Sequence, residues 1–297
     1  MTKERTLPKQ AILIVNGASR KGAEAFEDAR AKLIAAGIEL IDARAVDEPE
    51  AMSGEVRSAI DRAPMVIVGG GDGSLSETID HFLGHETVFA LLPLGTANSF
   101  ARTLGIPLDL EGAIEVILSG EPKRIDLAAI NGDYFLNNAA LGLAPIVAES
   151  VPGALKRSLG RLGYLMWAGW SAASFKAFRL KIHDGRTTHR LWATEARIAN
   201  GTHHGGVELV EDQALDSGDI VIQAVTGKSL WGLAWSWFAT LFKLRHRAQT
   251  TTEWRGRKLQ LEARPNQKIS IDGEIAAKTP VTVEVARGAI EVAAPRD

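Results

Sequence analysis

The chain has 297 residues, a formal net charge of −2 and no cysteine, and 45% of its residues are hydrophobic while 24% are charged. This composition is typical of a soluble globular protein of about two domains, and the absence of cysteine excludes disulfides, cysteine-based zinc sites and thiol catalysis. Because the charges provide no overall basic field, we expect no nucleic acid as a partner, and contact with a membrane or an anion must be local.

The first ten residues, MTKERTLPKQ, are charged and polar, and no apolar segment typical of a signal peptide follows them. No apolar run reaches the ~20 residues that a membrane-spanning helix needs. The sequence therefore predicts a cytoplasmic protein.

The first half of the chain alternates short apolar runs with helical stretches. Strands are predicted at residues 11–15, 38–41, 66–68 and 88–92, and helices at residues 23–36 and 51–62. This alternation predicts a parallel sheet with helices on both faces, in which ligands bind at the carboxyl ends of the strands. The turn after the first strand, which carries asparagine, serine and two cations, lies at that edge.

Residues 65–78, MVIVGGGDGSLSET, combine a short apolar strand, a glycine-rich turn and the start of a helix. Glycine permits φ > 0 and a close approach of the backbone to a ligand, and N–H groups beside the positive end of a helix bind anions. Ser74 followed by Glu77 is a capping box, which predicts that the helix begins at Ser74. We therefore expect a phosphate site here, lined by Gly69, Gly70, Gly71, Asp72, Gly73 and Ser74.

Both common nucleotide motifs are excluded at this turn. No lysine follows the glycines as in a Walker loop, and Ser76 stands where the dinucleotide fingerprint needs its third glycine. An ordinary glycine-rich turn between strand and helix stays open, although such a turn provides no packing reason for Asp72. The next unit ends its strand with PLGTANS, in which Gly95 permits close approach while Thr96 and Asn98 offer groups that bind phosphate or ribose.

From about residue 126 onward, the strand signals are short or alternate with period two, which predicts an antiparallel sheet. We place the domain boundary near residue 127, with domains at 1–127 and 128–287 and a terminal strand near 288–297 that packs back on the first domain. Two tryptophan-rich helical stretches, residues 161–175 and 230–244, interrupt the strands. Burial in the core and contact with lipid are both open for them.

GGGDGSLSET and the PLGTANSFA that follows resemble the paired motifs G-G-D-G-T and P-x-G-T-x-N-D of the diacylglycerol kinase catalytic-domain family. The resemblance is to its soluble bacterial lipid kinases, with sphingosine and ceramide kinases as relatives. It extends over nearly the whole chain: VNGASRKG is similar to the first nucleotide turn, and RIDLA, NGTHHGGV, DSGDI and IDGE are similar to motifs of the second domain.

The resemblance implies an α/β nucleotide-binding domain joined to an antiparallel β-rich, sandwich-like domain, with the active site in the cleft between them. It implies ATP with Mg²⁺ as cofactors, a lipid substrate at a membrane surface, and a location peripheral to the inner face of the membrane; a homodimer stays open. Asn16 and Lys21 of the first turn would join the glycine turn, Gly95, Thr96 and Asn98 in binding ATP.

The resemblance places Asp272 and Glu274 of the IDGE motif at this cleft. Because strand residues two apart point to the same side, both carboxylates could enter the site. A lipid hydroxyl needs a base, and we assign Glu274 as that base, with Asp272 as its orienter or a magnesium partner. Asp72 would act beside the transferred phosphate, where phosphoryl transfer needs neutralised charge.

Two departures from the family pattern bear on the function. Ser99 stands where the bacterial members usually have aspartate, so diacylglycerol and sphingosine-type lipids are both open as substrates. Ser217 stands where the family commonly has an aspartate that binds a structural magnesium, and Asp216 or Asp219 would have to compensate. An NAD kinase or phosphofructokinase also stays open, because these enzymes share a G-G-D-G turn, and so does a nucleotide-binding lipid sensor without turnover.

Overall fold

The computed structural model describes residues 5–18, 20–143, 145, 176–204, 207–208, 214–228, 251–272 and 274–296. Both tryptophan-rich stretches, residues 161–175 and 230–244, lie outside the described residues. So does the side chain of Lys21, although the backbone of Lys21 belongs to the first helix.

The first half of the chain forms a parallel sheet with helices between its strands. Its strands are β1 Gln10–Asn16, β2 Glu39–Val46, β3 Met65–Gly70 and β4 Val88–Pro93, and its helices are α1 Arg20–Ala35, α2 Met52–Ile60, α3 Asp72–Ile79, α4 Ser99–Thr103 and α5 Leu110–Ser119. The strands pair in the order β2-β1-β3-β4, all parallel. Every residue of β3 and β4 is buried, as expected for strands that helices cover on both faces.

The second half is antiparallel, as its period-two pattern predicts. Its strands are β5 Glu121–Ile130, β6 Asp133–Phe135, β7 Asn138–Gly142, β8 Phe178–His183, β9 Thr188–Ala199, β10 His203–His204, β11 Val207–Glu208, β12 Ile220–Thr226, β13 Thr251–Gly256, β14 Lys258–Arg264, β15 Lys268–Ile271, β16 Glu274–Lys278 and β17 Val281–Ala294. Apolar side chains that alternate along β8, β14 and β15 form a second core, separate from that of the parallel sheet.

Strand β17 connects the two halves. Its first residues pair with β14, whereas Glu291 and Val292 pair in parallel with β4. It also lies antiparallel to β5, which runs through the predicted boundary at residue 127. The terminal strand predicted near 288–297 is therefore the second part of β17, which shifts its register between Ala286 and Ile290. Within the described residues, fifteen strands form one continuous sheet.

Helix α5 is not among the helices predicted from the sequence, although a capping residue marks its start. The Asp109 carboxylate accepts a hydrogen bond of 2.8 Å from the N–H of Gly112, which caps the helix. Among all the helices that the structure describes, none combines the length and the apolar character needed to cross a membrane.

Candidate active site

Three turns meet at the carboxyl edge of the parallel sheet, following β1, β3 and β4. The side chain of Asn16, the last residue of β1, donates to the Ser74 hydroxyl in α3 at 2.9 Å. The turn after β4 is fastened to the turn after β3, because the N–H of Leu94 donates to the carbonyl of Gly70 at 3.0 Å. The parallel order of the strands thus brings together three polar turns that are distant in the sequence.

Helix α3 begins at Asp72, two residues before the predicted start. Its N-cap is Gly71, which is extended at φ −91° and ψ 177° and makes no side-chain cap; its carbonyl accepts the first helical bond from Leu75. Ser74 therefore lies inside the first turn of the helix, where its hydroxyl accepts a hydrogen bond from Asn16. The predicted capping box is wrong, since an extended glycine already positions the chain for the helix.

None of Gly69–Gly71, Gly73 and Gly95 adopts the positive φ that glycine permits, and all of them except Gly73 serve close packing instead. A Cβ on Gly95 would lie 2.5 Å from the Cα of Gly71, so the two turns approach each other backbone to backbone. Gly73 instead faces open space, with no atom within 4 Å of a Cβ built on it. Gly73 therefore leaves open space at the start of α3, where a phosphate can approach the backbone.

Gly69 and Gly70 belong to the buried end of β3, where packing requires glycine. A Cβ on Gly69 would lie 2.8 Å from a methyl group of Val15, and one on Gly70 would lie 2.8 Å from the Cβ of Ser74. Both positions need glycine because neighbouring side chains fill the space.

The carboxylate of Asp72 caps the next helix. Its two oxygens accept hydrogen bonds from the N–H groups of Ser99 and Phe100, at 3.0 and 3.1 Å. This carboxylate at the positive end of α4 fastens the second and third turns together. A carboxylate has about four acceptor positions, so Asp72 keeps capacity for a cation beyond these two bonds.

Asn98 is committed to its own turn. It is 5% exposed and left-handed at φ 47°. Its amide oxygen accepts from the N–H of Gly95, while its NH₂ group donates to the carbonyls of Pro93 and Gly95. Both NH₂ protons of Asn98 are therefore used inside the turn, and the side chain has no free donor for the phosphate or ribose contact that the sequence predicts. Thr96, in contrast, is exposed at the tip of the turn.

Asp272 joins the second half of the chain to helix α3. One carboxylate oxygen accepts from the Ser76 hydroxyl at 2.6 Å and from the N–H of Leu136 at 3.0 Å. The other accepts from the N–H groups of Asn137 and Asn138, both at 3.1 Å. Burial raises the pKa of Asp272, and these four hydrogen bonds oppose the shift.

Glu274 lies just beyond this anchored turn and is exposed. The expectation that strand geometry aligns it with Asp272 is wrong, because Asp272 leaves the strand at φ 44° and Glu274 begins the next strand, paired with Ile271. Glu274 nevertheless lies near helix α3: desolvation raises the pKa of Glu77, and the negative charges of Glu274 and Glu50 raise it further.

Similarity to known proteins decides the family of this chain. A model of the diacylglycerol kinase catalytic domain matches residues 10–130, and a model of the YegS C-terminal NAD kinase beta sandwich-like domain matches residues 138–294. Proteins named "Probable lipid kinase YegS-like" from Yersinia pestis and Yersinia pseudotuberculosis are each 30% identical over 239 residues, covering 77% of this chain and 78% of theirs. The chain belongs to the YegS-like lipid kinase family.

Solved structures agree with this fold. A Bacillus anthracis protein described as "a putative diacylglycerol kinase" superposes with a TM-score of 0.82 at 22% identity, covering 98% of this chain and 99% of that one. Another diacylglycerol kinase structure from Bacillus anthracis gives 0.76 at 22% identity, covering 96% and 97%. The resemblance to the diacylglycerol kinase family and the predicted two-domain α/β plus β architecture are thus confirmed, and the chain is a kinase.

The structural magnesium predicted for this YegS-like lipid kinase does not fit its residues. Asp216 forms an ion pair with Lys123 at 3.6 Å. Among the described residues, Asp216 and Asp219 are not grouped with a third side chain that could ligate a metal. The Arg287 guanidinium also packs here, 2.6 Å from the position of a Cβ on Gly218. A cationic side chain packed in this turn repels a metal ion, so we assign no metal to Asp216 and Asp219.

The sequence did not predict two side chains that anchor distant parts of this lipid kinase to each other. Ser76, considered only as the residue that breaks a glycine motif, bonds Asp272 from the far half of the chain. Asp126 fastens the turn of Gly218 and the bulge of Gly288 by accepting their N–H groups at 2.6 and 2.8 Å. Each partner is at least 92 positions away, so local spacing carried no signal for either anchor.

Proposed function

We propose that this chain transfers the γ-phosphate of ATP to the hydroxyl of a diacylglycerol-like lipid. The observation that carries the proposal is the hydrogen bond between Ser76 and Asp272. It fastens the acidic turn of the second half to the helix that begins at the glycine turn. Asp72 and Ser76 are four residues apart on α3, so they share a face and their Cβ atoms are roughly 6 Å apart. The nucleotide turn and the acidic turn therefore open on one space.

On the nucleotide side, the open backbone at Gly73 and the N-terminus of α3 offer N–H groups to phosphate. Thr96 adds an exposed hydroxyl. Asp72 would hold the Mg²⁺ that accompanies ATP, and that ion would neutralise charge on the phosphates. The role of this chain is to position the γ-phosphate in front of the acceptor hydroxyl.

On the lipid side, the geometry favours Glu274 over Asp272 as the base. The four hydrogen bonds to Asp272 fill the roughly four acceptor positions of a carboxylate, so Asp272 has none left for a lipid hydroxyl or a magnesium ion. Glu274 is exposed, and among the described residues its carboxylate has no hydrogen-bond or ion-pair partner. Asp272 orients the turn, and Glu274 takes the proton as the lipid oxygen attacks phosphorus.

The substrate places the enzyme at a bilayer. A diacylglycerol is held in the membrane by its acyl chains, so the kinase works at the surface, in contact with the inner face of the cytoplasmic membrane. Ser99 stands where the bacterial members of the family usually have aspartate, and its N–H donates to the Asp72 carboxylate. The residue at this position therefore bears on the choice of lipid.

The decisive experiment supplies labelled ATP and Mg²⁺ with vesicles that contain one candidate lipid at a time: diacylglycerol, ceramide or sphingosine. We expect label in phosphatidic acid. ATP consumption that lipid does not stimulate, with no labelled lipid, would refute the proposal and favour a lipid sensor. Glu274→Gln should reduce kcat by about 10²-fold or more while leaving the ATP affinity within a few fold, because glutamine cannot accept the proton.

A further inference from the structure

The exposed face of β8, β9 and β14 carries a cluster of cations outside the candidate active site. Strand pairing places its residues in rows. Trp192, Arg179 and Arg264 are direct neighbours in one row, and Arg190, Lys181 and Glu262 are neighbours in the next. With strands about 4.8 Å apart and alternate residues roughly 6.7 Å apart, the backbones of the four cations in these rows lie within about 12 Å of one another.

Lys228, which follows β12, completes this cluster. Its ammonium lies 4.3 Å from the centre of the Trp192 ring, and the Arg179 guanidinium lies 5.1 Å from the same ring. We call this set the cationic face: Arg179, Lys181, Arg190, Lys228 and Arg264, two of which contact the Trp192 ring. The four cations on the strands line an open depression of about 450 Å³.

The cationic face is poorly neutralised. Glu262 bonds Lys181 at 2.7 Å, and that bond and the charges of Lys181, Arg264 and Arg190 keep the pKa of Glu262 below its ordinary value. Within the part of the chain that the structure describes, Arg179, Arg190 and Arg264 form no ion pair with an acidic side chain. Five cations thus face one carboxylate, giving +4 locally on a chain whose total is −2.

This arrangement destabilises the sheet on its own. Like charges directly across a strand pair repel, and here Arg179 lies opposite Arg264 while Lys181 lies opposite Arg190. An anionic partner that covers the rows would relieve both repulsions at once. Trp192 suits an interface between water and lipid, since its ring is apolar and its N–H is polar.

We propose that the cationic face binds the anionic surface of a phospholipid bilayer and so docks the kinase on the membrane. Charge complementarity carries the proposal, and membership of a lipid kinase family favours a bilayer over other polyanions; in that respect it rests on the proposed function. Each Lys or Arg near an anionic bilayer contributes about 1 kcal/mol, or roughly fivefold in affinity. All residues of the cationic face lie in the part of the chain that the structure describes, and the proposal does not depend on the tryptophan-rich stretches.

The test is cosedimentation without ATP, using vesicles of phosphatidylcholine alone or mixed equally with phosphatidylglycerol. The wild-type protein should bind the mixed vesicles much more tightly. The affinity should fall between about 0.1 M and about 1 M salt, because the screening length shrinks from about 10 Å to about 3 Å. Equal binding to both vesicle types, or binding to neither, would overturn the proposal.

The variant that tests the face combines Arg179→Gln, Arg190→Gln and Arg264→Gln. Its affinity for the mixed vesicles should fall on the order of 100-fold, from three cations at about fivefold each. Its melting temperature should not fall, because like-charge pairs are removed. The matched control combines Arg30→Gln, Arg57→Gln and Arg296→Gln, which change the net charge equally at exposed positions outside the face.

Unchanged vesicle binding by the test variant, or an equal loss in the control, would refute the docking surface. So would tight binding of wild-type protein to a DNA duplex with no binding to vesicles. Phosphorylation of a soluble short-chain diacylglycerol separates this result from the proposed function. The test variant should keep the wild-type kcat on that substrate. If the wild-type protein has no turnover, but the test variant still loses vesicle binding, only the proposed function fails.

Discussion

Replacing Asp272 by Asn tests whether this residue anchors the junction or performs the chemistry. Asparagine tolerates the left-handed backbone at φ 44°, so the backbone is not disturbed. Its oxygen can still accept from the N–H groups of Asn137 and Asn138, and its NH₂ group can donate to the Ser76 hydroxyl. The N–H of Leu136, however, loses its acceptor and faces another donor. Leaving such a group unsatisfied costs about 1–3 kcal/mol.

At this chain length a loss of that size corresponds to a fall of roughly 2–10 °C in melting temperature, to be measured by circular dichroism at pH 7. Ser76→Ala should couple to the change by at least about 0.5 kcal/mol in a double-mutant cycle, because the two side chains share a hydrogen bond. The control is Asp133→Asn at an exposed position of β6, which should leave the melting temperature unchanged. A variant at Asp272 that melts like wild type but has lost all turnover would refute the anchoring role and make Asp272 the catalytic group.

Asp72→Asn should lower kcat by orders of magnitude. It should also lower the free energy of unfolding by about 1–2 kcal/mol, because one of the two N–H groups capped by this carboxylate loses its acceptor. An unchanged melting curve would contradict the capping role. Gly95→Ala should abolish ATP binding in calorimetry, since its Cβ would lie 2.5 Å from a backbone atom of the neighbouring turn, whereas Gly54→Ala, which has open space, should bind ATP normally. Glu274→Gln should lower the pKa of Glu77 in a carboxyl NMR titration, because one of the charges that raise it is removed. A carboxyl group whose pKa is raised on folding destabilises the folded state as pH rises. The melting temperature of Glu274→Gln should therefore exceed that of wild type by more at about pH 7 than at about pH 4. An unchanged titration of Glu77 would place Glu274 away from α3.

The alternation of apolar runs and turns was sufficient to predict the parallel half, because buried strands and helices leave strong local patterns. Strands β1, β3 and β4 were predicted in the right places, and so were the polar turns that follow them. The period-two pattern likewise predicted the antiparallel half. The paired glycine motifs were enough to predict the family, since they depend on residues close together in the chain.

Only the tertiary structure decided what the individual polar groups do. Asn98 has an amide that could contact a ligand, but this amide closes its own turn. Asp272 follows a strand, but the chain leaves that strand in a left-handed turn. Ser76 becomes an anchor only because a strand from 196 positions later brings Asp272 to it. Sequence patterns report local conformation and burial, whereas the partner of a hydrogen bond depends on which distant backbone the fold places beside it.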